Sequence, residues 1–389
     1  MDGLTGQSFD AVIVGAGPAG ASLGIRLAKA GKRVLLVEKA HFPRHKLCGE
    51  FVSPECIEHF EELGIVPKLR ETLLPELVET RFYARNGRSL TISNSWLSSS
   101  KQSAIGISRS RLDQILLETA RDCGVSVFEG YGFLSSSNYN ERLSGLTIKS
   151  ESGGSFQISA KLAIDASGRN QVLARSFDNS ISTRRSGVVA FKTHLINADI
   201  DQNACEIYSF PGGYGGCSKV ENDRYNTCFV LSSAKLRELG NDRKSIFEKS
   251  LLTNRRAHAV LSESVTVGEW LSVSIPHFGQ SNCTPYPGVF AIGDAAGFID
   301  PFTGSGIALA LQTSKLCANA ILTNDDLDAA AINYHRNYTA LVKKRMHFTS
   351  VIRSLARFPS VADKMIGILS HSSFFSQAAA RATRGTSPK

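Results

Sequence analysis

The chain has 389 residues, 42% hydrophobic and 20% charged, which is enough for two or three domains with a sizeable core and is the balance of a soluble globular protein. No run of 18 apolar residues occurs, which excludes a membrane-spanning helix, and the eight cysteines form no Cys-x-x-Cys pair and no zinc-finger spacing with histidine, so no metal site is expected. The net charge of +9 sits entirely in residues 331–389, which hold ten Lys/Arg and one acid, so the basicity belongs to that region and not to the fold before it.

Met1 to Asp10 has neither a basic start nor an apolar stretch, so no signal peptide is expected and the protein is expected to be cytoplasmic. Residues 9–39 then organise the chain. Val12, Ile13 and Val14 are β-branched and apolar, as a strand buried on both faces requires. Gly15-Ala16-Gly17-Pro18-Ala19-Gly20 follows, then an apolar-periodic run to Ala30, a turn at Gly31-Lys32, and a second strand, Arg33 to Glu38. Gly15 makes the tight turn, Gly17 lets a pyrophosphate approach the backbone, and Gly20 lets helix and strand pack closely. The N–H groups and positive dipole end of the helix face the phosphates. Glu38, 18 residues after Gly20, suits ribose hydroxyls and repels a 2′-phosphate. This stretch predicts the adenine end of a dinucleotide and leaves FAD or NAD open.

His41 to Glu50 is a loop, marked by Pro43 and Gly49; its basic groups reach the cofactor phosphates or else are solvated. Pro54 to Leu63 reads as a short helix. Val78 to Leu97 reads as β-structure turning at Asn86-Gly87. Ser108 to Asp113 opens a helix that buries Leu112, Ile115, Leu116 and Ala120 and stops at Gly124. A strand at Val125–Phe128 and a meander from Gly132 to Ala160 precede the buried strand Leu162–Ala166. Asp165-Ala166-Ser167-Gly168-Arg169 at its end is a second cofactor-edge signal. From Gly187 to Ile275, alternating segments interrupted by helices near Ser233–Leu239 and Arg243–Leu252 predict an antiparallel sheet with one face covered. The strand Gly288–Ile292 ends at Gly293-Asp294, and after Pro301, Gly304 and Gly306 a helix runs from Ile307 to about Leu322.

The order and spacing of Gly15–Glu38, Asp165–Arg169 and Gly293–Gly306 resemble the flavoprotein family of para-hydroxybenzoate-hydroxylase type, which includes aromatic monooxygenases, flavin-dependent halogenases and geranylgeranyl reductases. The resemblance implies FAD, with Asp294 on the ribityl chain and the helix start after it near the flavin N1–C2=O edge. Lys46-Leu47-Cys48-Gly49 and Pro211-Gly212-Gly213-Tyr214-Gly215 look most like geranylgeranyl reductases and related flavin dehydrogenases. Gly216 replaces that group's tryptophan and Lys219 its last proline, which is expected to open space over the flavin. The Trp-x-Trp-x-Ile-Pro segment of halogenases is absent, since Trp96 and Trp270 are the only tryptophans.

The resulting expectation is an α/β protein. A Rossmann-like FAD-binding domain (three-layer, mostly parallel sheet plus β-meander) takes residues 1–79, 101–180 and 276–330. An antiparallel β-sheet substrate domain takes 80–100 and 181–275, and a basic helical region takes 331–389. FAD is expected on Gly15, Gly17, Pro18, Ala19, Gly20, Glu38, Lys39, Arg44, Cys48, Gly49, Arg109, Asp165, Gly168, Gly293, Asp294, Pro301, Gly304, Gly306 and Ile307. Cys48 and Tyr214 are the catalytic candidates, each alternatively a pocket wall. The Gly212–Gly216 run is expected to join β-segments; no second phosphate turn exists, so NAD(P)H, or a protein donor, supplies electrons transiently. The expected reaction is hydride transfer at the flavin N5 to or from an apolar substrate (isoprenoid, lipid or polyketide-like). The alternative is an NAD(P)H- and O2-dependent monooxygenase on an aromatic or polyketide substrate. A non-catalytic flavin scaffold is the reading of a different class. In the basic region, Phe348, Ile352 and Leu355 share one helical face among Lys343, Lys344, Arg345, Arg353 and Arg357. That face packs on the parent domain or meets an anionic membrane; no nucleic-acid partner is expected, because no recognition fold is present.

Overall fold

The computed structural model describes residues 8–98, 101–177, 185–276, 278–300, 302 and 304–356, with side chains left aside at 185, 276 and 344–356. Five parallel strands form the central sheet, in the order Val289–Ala291, Ala163–Asp165, Ala11–Val14 (β1), Val34–Glu38 (β2), Ser126–Glu129. The period-2 alternation of these strands sorts the side chains into two cores. Ile13, Leu36 and Ile164 pack against the helices Pro18–Lys29 (α1), Arg109–Asp122 and Gly306–Thr323. Val12, Val14, Leu35 and Val37 pack against Leu146, Ile148 and Ile158 of the meander Tyr131–Tyr139, Arg142–Ser150, Ser155–Ser159. Helices, sheet and meander are the three expected layers.

The second sheet has seven strands, in the order Val265–Pro276, Arg185–Ile196, Tyr225–Ser232, Gly213–Lys219, Ala204–Phe210, Glu79–Tyr83, Ser89–Ser93. It is antiparallel except where Ala204–Phe210 pairs parallel with Glu79–Tyr83. One face is covered by the helices Ser233–Leu239, Arg243–Lys249 and Arg255–Leu261 over Phe191, Phe229 and Leu231. The other face meets the first domain, where Ala190, Val230 and Ile275 cluster with Leu47, Tyr214 and Phe298.

Two details differ from the sequence reading. Gly213–Lys219 is itself a strand, not a connection between strands. Its glycines are there for packing: a Cβ on Gly213 would lie 1.9 Å from Val230 O, and one on Gly215 2.4 Å from Phe229 Cβ. The helix Arg255–Leu261 was not legible, because its start rests on tertiary bonds: Asn254 caps it while reaching Ala84 O and Ser209 O.

The helix Leu327–Ala356 carries the basic region back onto the first domain. Tyr334, Tyr338 and Val342 are fully buried, and the tyrosine hydroxyls donate to Ala291 O (2.8 Å) and Ala296 O (2.5 Å). The face predicted at Phe348, Ile352 and Leu355 is not among these residues. The side chains of Lys344, Arg345, Phe348, Ile352, Arg353 and Leu355, and the whole of Arg357, lie outside the described residues.

Candidate functional site

The glycine turn sits between β1 and α1. Gly15 has a left-handed φ of +107°, and a Cβ there would lie 2.4 Å from Ala166 O. At Gly20 a Cβ would lie 1.9 Å from Gly15 O, so this position must be glycine for the helix to seat. Gly17 is different: the nearest atom to its Cβ position is Arg109 Nη2 at 3.8 Å. The turn therefore leaves an open cradle, and α1 begins there without a side-chain cap and with Pro18 at its first position. Glu38, nearly buried at the end of β2, accepts from Ala16 N (3.0 Å) and Ala40 N (3.1 Å). It shapes the turn and retains acceptor capacity for a ribose. Lys39 is exposed.

Four cations converge on the cleft. Arg44 Nη2 lies 3.4 Å from Glu38 Oε2. Its Nη1 is 3.4 Å from Asp113 Oδ2, a charge contact without hydrogen-bond geometry, and Nε and Nη1 are buried without hydrogen-bond partners. Arg109 is held by the wholly buried Asp113 through two 2.7 Å bonds. Burial opposes the Arg109 charge, but Asp113 outweighs it and raises the pKa; the guanidinium also touches Cys48. Lys46 is pushed down to about 8 by the enclosing walls first, then by Arg44 and Arg109. Arg169 lies across from Phe298, 5.4 Å from its ring centre, and adds to the same field. Unpaired buried donors and a self-repelling cation cluster are what an anion would relieve.

Gly293-Asp294 follows the strand Val289–Ala291. Gly293 N donates to Thr313 Oγ1 (2.9 Å), and a Cβ on Gly293 would lie 2.9 Å from Ala19 Cβ, so the motif packs on the start of α1. Asp294 is half-buried in area but enclosed by the cleft. Burial raises its pKa, and the positive charges of Arg169, Arg109 and Lys46 oppose the shift. Gly304 is left-handed (φ +59°) beneath Phe51. Gly306 starts the helix Gly306–Thr323 with no side-chain cap and nothing within 4 Å of its Cβ position, and Ile307 is buried behind it. Pro301 lies outside the described residues.

Asp165 sits in this frame but turns inward. Oδ1 accepts from Ser167 N (3.0 Å) and Oγ (2.6 Å), and Oδ2 accepts from Leu173 N (3.0 Å) and Ala174 N (2.8 Å). All of its acceptor capacity is used by its own loop, so it shapes the turn at Gly168 rather than facing the cleft. Gly168 is half-exposed with open space at its Cβ position.

Cys48 and Gly49 lie where the cleft meets the seven-stranded sheet. A cavity of about 150 Å³ runs from the backbone of Gly49 and Gly304 between Phe51, Phe82, Ile92, Leu97, Ile207 and Val230. Tyr214 lines it, packs edge-on against Phe302 (4.9 Å) and donates to Asp300 Oδ1 (2.5 Å). Burial, then the Asp300 charge, pushes the Tyr214 phenol well above its ordinary pKa. The space expected at Gly216 is not open: a Cβ there would lie 2.7 Å from Ile207 Cδ1, which fills the position.

Sequence reasoning missed Asp113, Asp300 and a buried cluster behind Cys48: Glu50, Lys192 and His194. Lys192 and His194 stand two apart on the strand face that also carries Ala190, and only the packing of that face shows that they point inward.

The family description "FAD binding domain" matches residues 8–323. The chain is 25% identical to conditioned medium factor receptor 1 of Dictyostelium discoideum, with 98% of this chain and 78% of that protein covered. It is 26% identical to digeranylgeranylglycerophospholipid reductase 1 of Methanococcoides burtonii, covering 85% of this chain and 80% of that protein. Among solved structures, that of the flavin-dependent brominase Bmp2 superimposes with a TM-score of 0.82 at 19% identity, covering 97% of this chain and 94% of that chain.

Proposed function

The chain belongs to the FAD binding domain family, and we propose that it is a flavin-dependent reductase or dehydrogenase of an apolar substrate, isoprenoid, lipid or polyketide-like, with NAD(P)H as transient electron donor. The observation that carries the reading is the apolar cavity of about 150 Å³ that ends on the backbone of Gly49 and Gly304. Its aromatic and aliphatic walls would admit an apolar chain and exclude water. The reductase of M. burtonii, to which this chain is 26% identical, supports the choice by its name.

The residues fit FAD. The cradle at Gly17, the uncapped starts of two helices and the unpartnered Arg44 nitrogens suit a pyrophosphate. Glu38 and Asp294 would accept from ribose and ribityl hydroxyls. When bound, FAD supplies a ring that takes up and releases two electrons with a proton. The chain's own contribution is to hold that ring against the cavity, keep water out and manage protons. Tyr214 keeps its proton throughout the physiological range and donates it in a hydrogen bond to Asp300, which holds the ring in the cavity wall. Cys48, in contact with the Arg109 guanidinium, stands at the same junction.

The test is anaerobic. NADH or NADPH should bleach the bound flavin, and an unsaturated apolar substrate should restore its colour and gain two hydrogens. Restoration by oxygen alone with an oxygenated product would replace this reading by the monooxygenase one. A brominated or chlorinated product formed only with halide present would refute both.

A further inference from the structure

The apolar cavity runs across the seven-stranded sheet rather than along a strand. Cys228, Gly216, Ile207 and Phe82 are direct cross-strand partners on four successive strands, and all four line it. Three inter-strand steps of about 4.8 Å make its floor about 14 Å long. One end lies at the cofactor cleft, where Asn226, two residues before Cys228 and on the same face, donates to Cys48 O (3.3 Å). The other end lies at Thr80, two residues before Phe82 on the strand Glu79–Tyr83 and on the same face, with Ile92, Asn94 and Leu97 around it.

Thr80 and Asn94 are polar residues in an apolar wall, and both are at least nine-tenths buried. A valine would suit the strand at Thr80 equally well and bring no hydroxyl to desolvate. Asn94 has a local task, since its Nδ2 donates to Leu77 O (2.8 Å). A carbonyl oxygen can only accept, which fixes the amide, and Asn94 Oδ1 accepts from Thr80 Oγ1 (2.8 Å). That leaves one N–H on Asn94 Nδ2 and the lone pairs of Thr80 Oγ1 without a partner among the described residues. The pair offers a donor and an acceptor side by side, at the end of the cavity away from the cleft. No charged side chain lines the cavity among the described residues. A carboxylate or phosphate at this end would be buried without a counter-charge, whereas a hydroxyl would donate to Thr80 and accept from Asn94.

We propose that Thr80 and Asn94 determine specificity by receiving a neutral hydroxyl at one end of the apolar substrate, which holds the bond to be reduced about 14 Å away at the cofactor cleft. A substrate that also carries a carboxylate or phosphate keeps that group outside the cavity. The inference rests on the apolar-substrate reading proposed above and deepens it.

The experiment measures binding of 1-decanol and 1-fluorodecane to the FAD-loaded protein by the change in flavin absorption. Fluorine is close to a hydroxyl in size but has no hydrogen to donate. In wild type the alcohol should bind at least as tightly as the fluoride, although the fluoride leaves water more readily. The preference for the alcohol is a ratio within one protein, so a general loosening of the fold leaves it unmoved. Thr80→Val should lower that preference about tenfold, the effect of losing one hydrogen bond, and Thr80→Ser, which keeps the oxygen, should hold it within about twofold of wild type. A wild type that binds the fluoride more tightly, an unchanged preference in Thr80→Val, or an equal loss in Thr80→Ser overturns the inference and leaves the apolar cavity standing as the substrate site. A wild type that holds FAD and binds neither compound overturns the apolar-substrate reading, and this inference with it.

Discussion

Gly17 and Gly20 stand three residues apart in one motif and should fail in opposite ways. Gly17 has φ −72° and ψ −177°, an extended conformation open to any residue, and its Cβ position has only Arg109 Nη2 near it, at 3.8 Å. In Gly17→Ala the unfolded chain loses conformational freedom, which stabilises by about 0.4–1 kcal/mol. Alanine is the poorer helix N-cap, which costs a similar amount, so apoprotein stability should stay within about 0.5 kcal/mol of wild type. The methyl group, however, occupies the cradle. FAD affinity should fall by about 100-fold or more, equivalent to about 2.7 kcal/mol. Gly20→Ala puts a methyl group 1.9 Å from Gly15 O and 3.0 Å from Ala166 Cβ, and backbone cannot rotate out of the way as a side chain can. α1 must lift from β1, at a cost of about 1–3 kcal/mol or more. The assay is thermal melting of both apoproteins followed by FAD titration. Wild-type FAD affinity in Gly17→Ala would refute the cradle, and wild-type melting in Gly20→Ala would refute the packing argument.

Burial raises the Asp294 carboxyl, so between its ordinary and raised pKa the folded chain binds more protons than the unfolded one. Stability falls as pH rises through that window, and the full penalty applies above it. Asp294→Asn should therefore leave the apoprotein at neutral pH at least as stable as wild type while weakening FAD retention; a destabilised apoprotein with normal FAD affinity would reverse the assignment. Asp165→Ala should do the opposite in stability, losing about 3–5 kcal/mol by stranding the donors its carboxylate now satisfies, as a chemical denaturation midpoint would report. Tyr214→Phe should keep FAD and the ring contact with Phe302 but slow turnover at least about tenfold, because the Asp300 carboxylate beside the cavity loses the Tyr214 hydroxyl as its donor; an unchanged rate reduces Tyr214 to a wall. Lys46 carries its charge below about pH 8 and loses it above, so FAD affinity should weaken as pH rises through that value, and Lys46→Met should show no such change.

The layered domain was legible because its signals are local. β-branched runs, the spacing of glycines and an acid at a strand end are set by the backbone of one βαβ unit, and residues 11–38 fold as they read. The second sheet was legible in outline for the same reason. What escaped depends on which face of an element meets which neighbour. In the strand Arg185–Ile196, polar positions of an alternating pattern read as solvent-facing, yet Lys192 and His194 face inward toward Glu50. Gly213–Lys219 has the composition of a turn, but its neighbours come so close that only glycines fit between them. Asp165 carries a cofactor-edge signature, and only the positions of Leu173 and Ala174 reveal where its lone pairs go. Gly216 could not be judged from sequence, since the atom that fills its space belongs to Ile207 on the neighbouring strand.

The most direct test of the account is a competition for the cleft. Apoprotein is titrated in parallel with FAD, FMN and NAD⁺, and the stoichiometry of each is measured. The cradle at Gly17 with Glu38 at one end, and Asp294 with the start of the helix Gly306–Thr323 at the other, predict one FAD per chain. FMN, which lacks the adenine half, should bind at least about 100-fold more weakly, a difference of about 2.7 kcal/mol. Tighter binding of NAD⁺ than of FAD, or equal binding of FMN and FAD, would contradict the account.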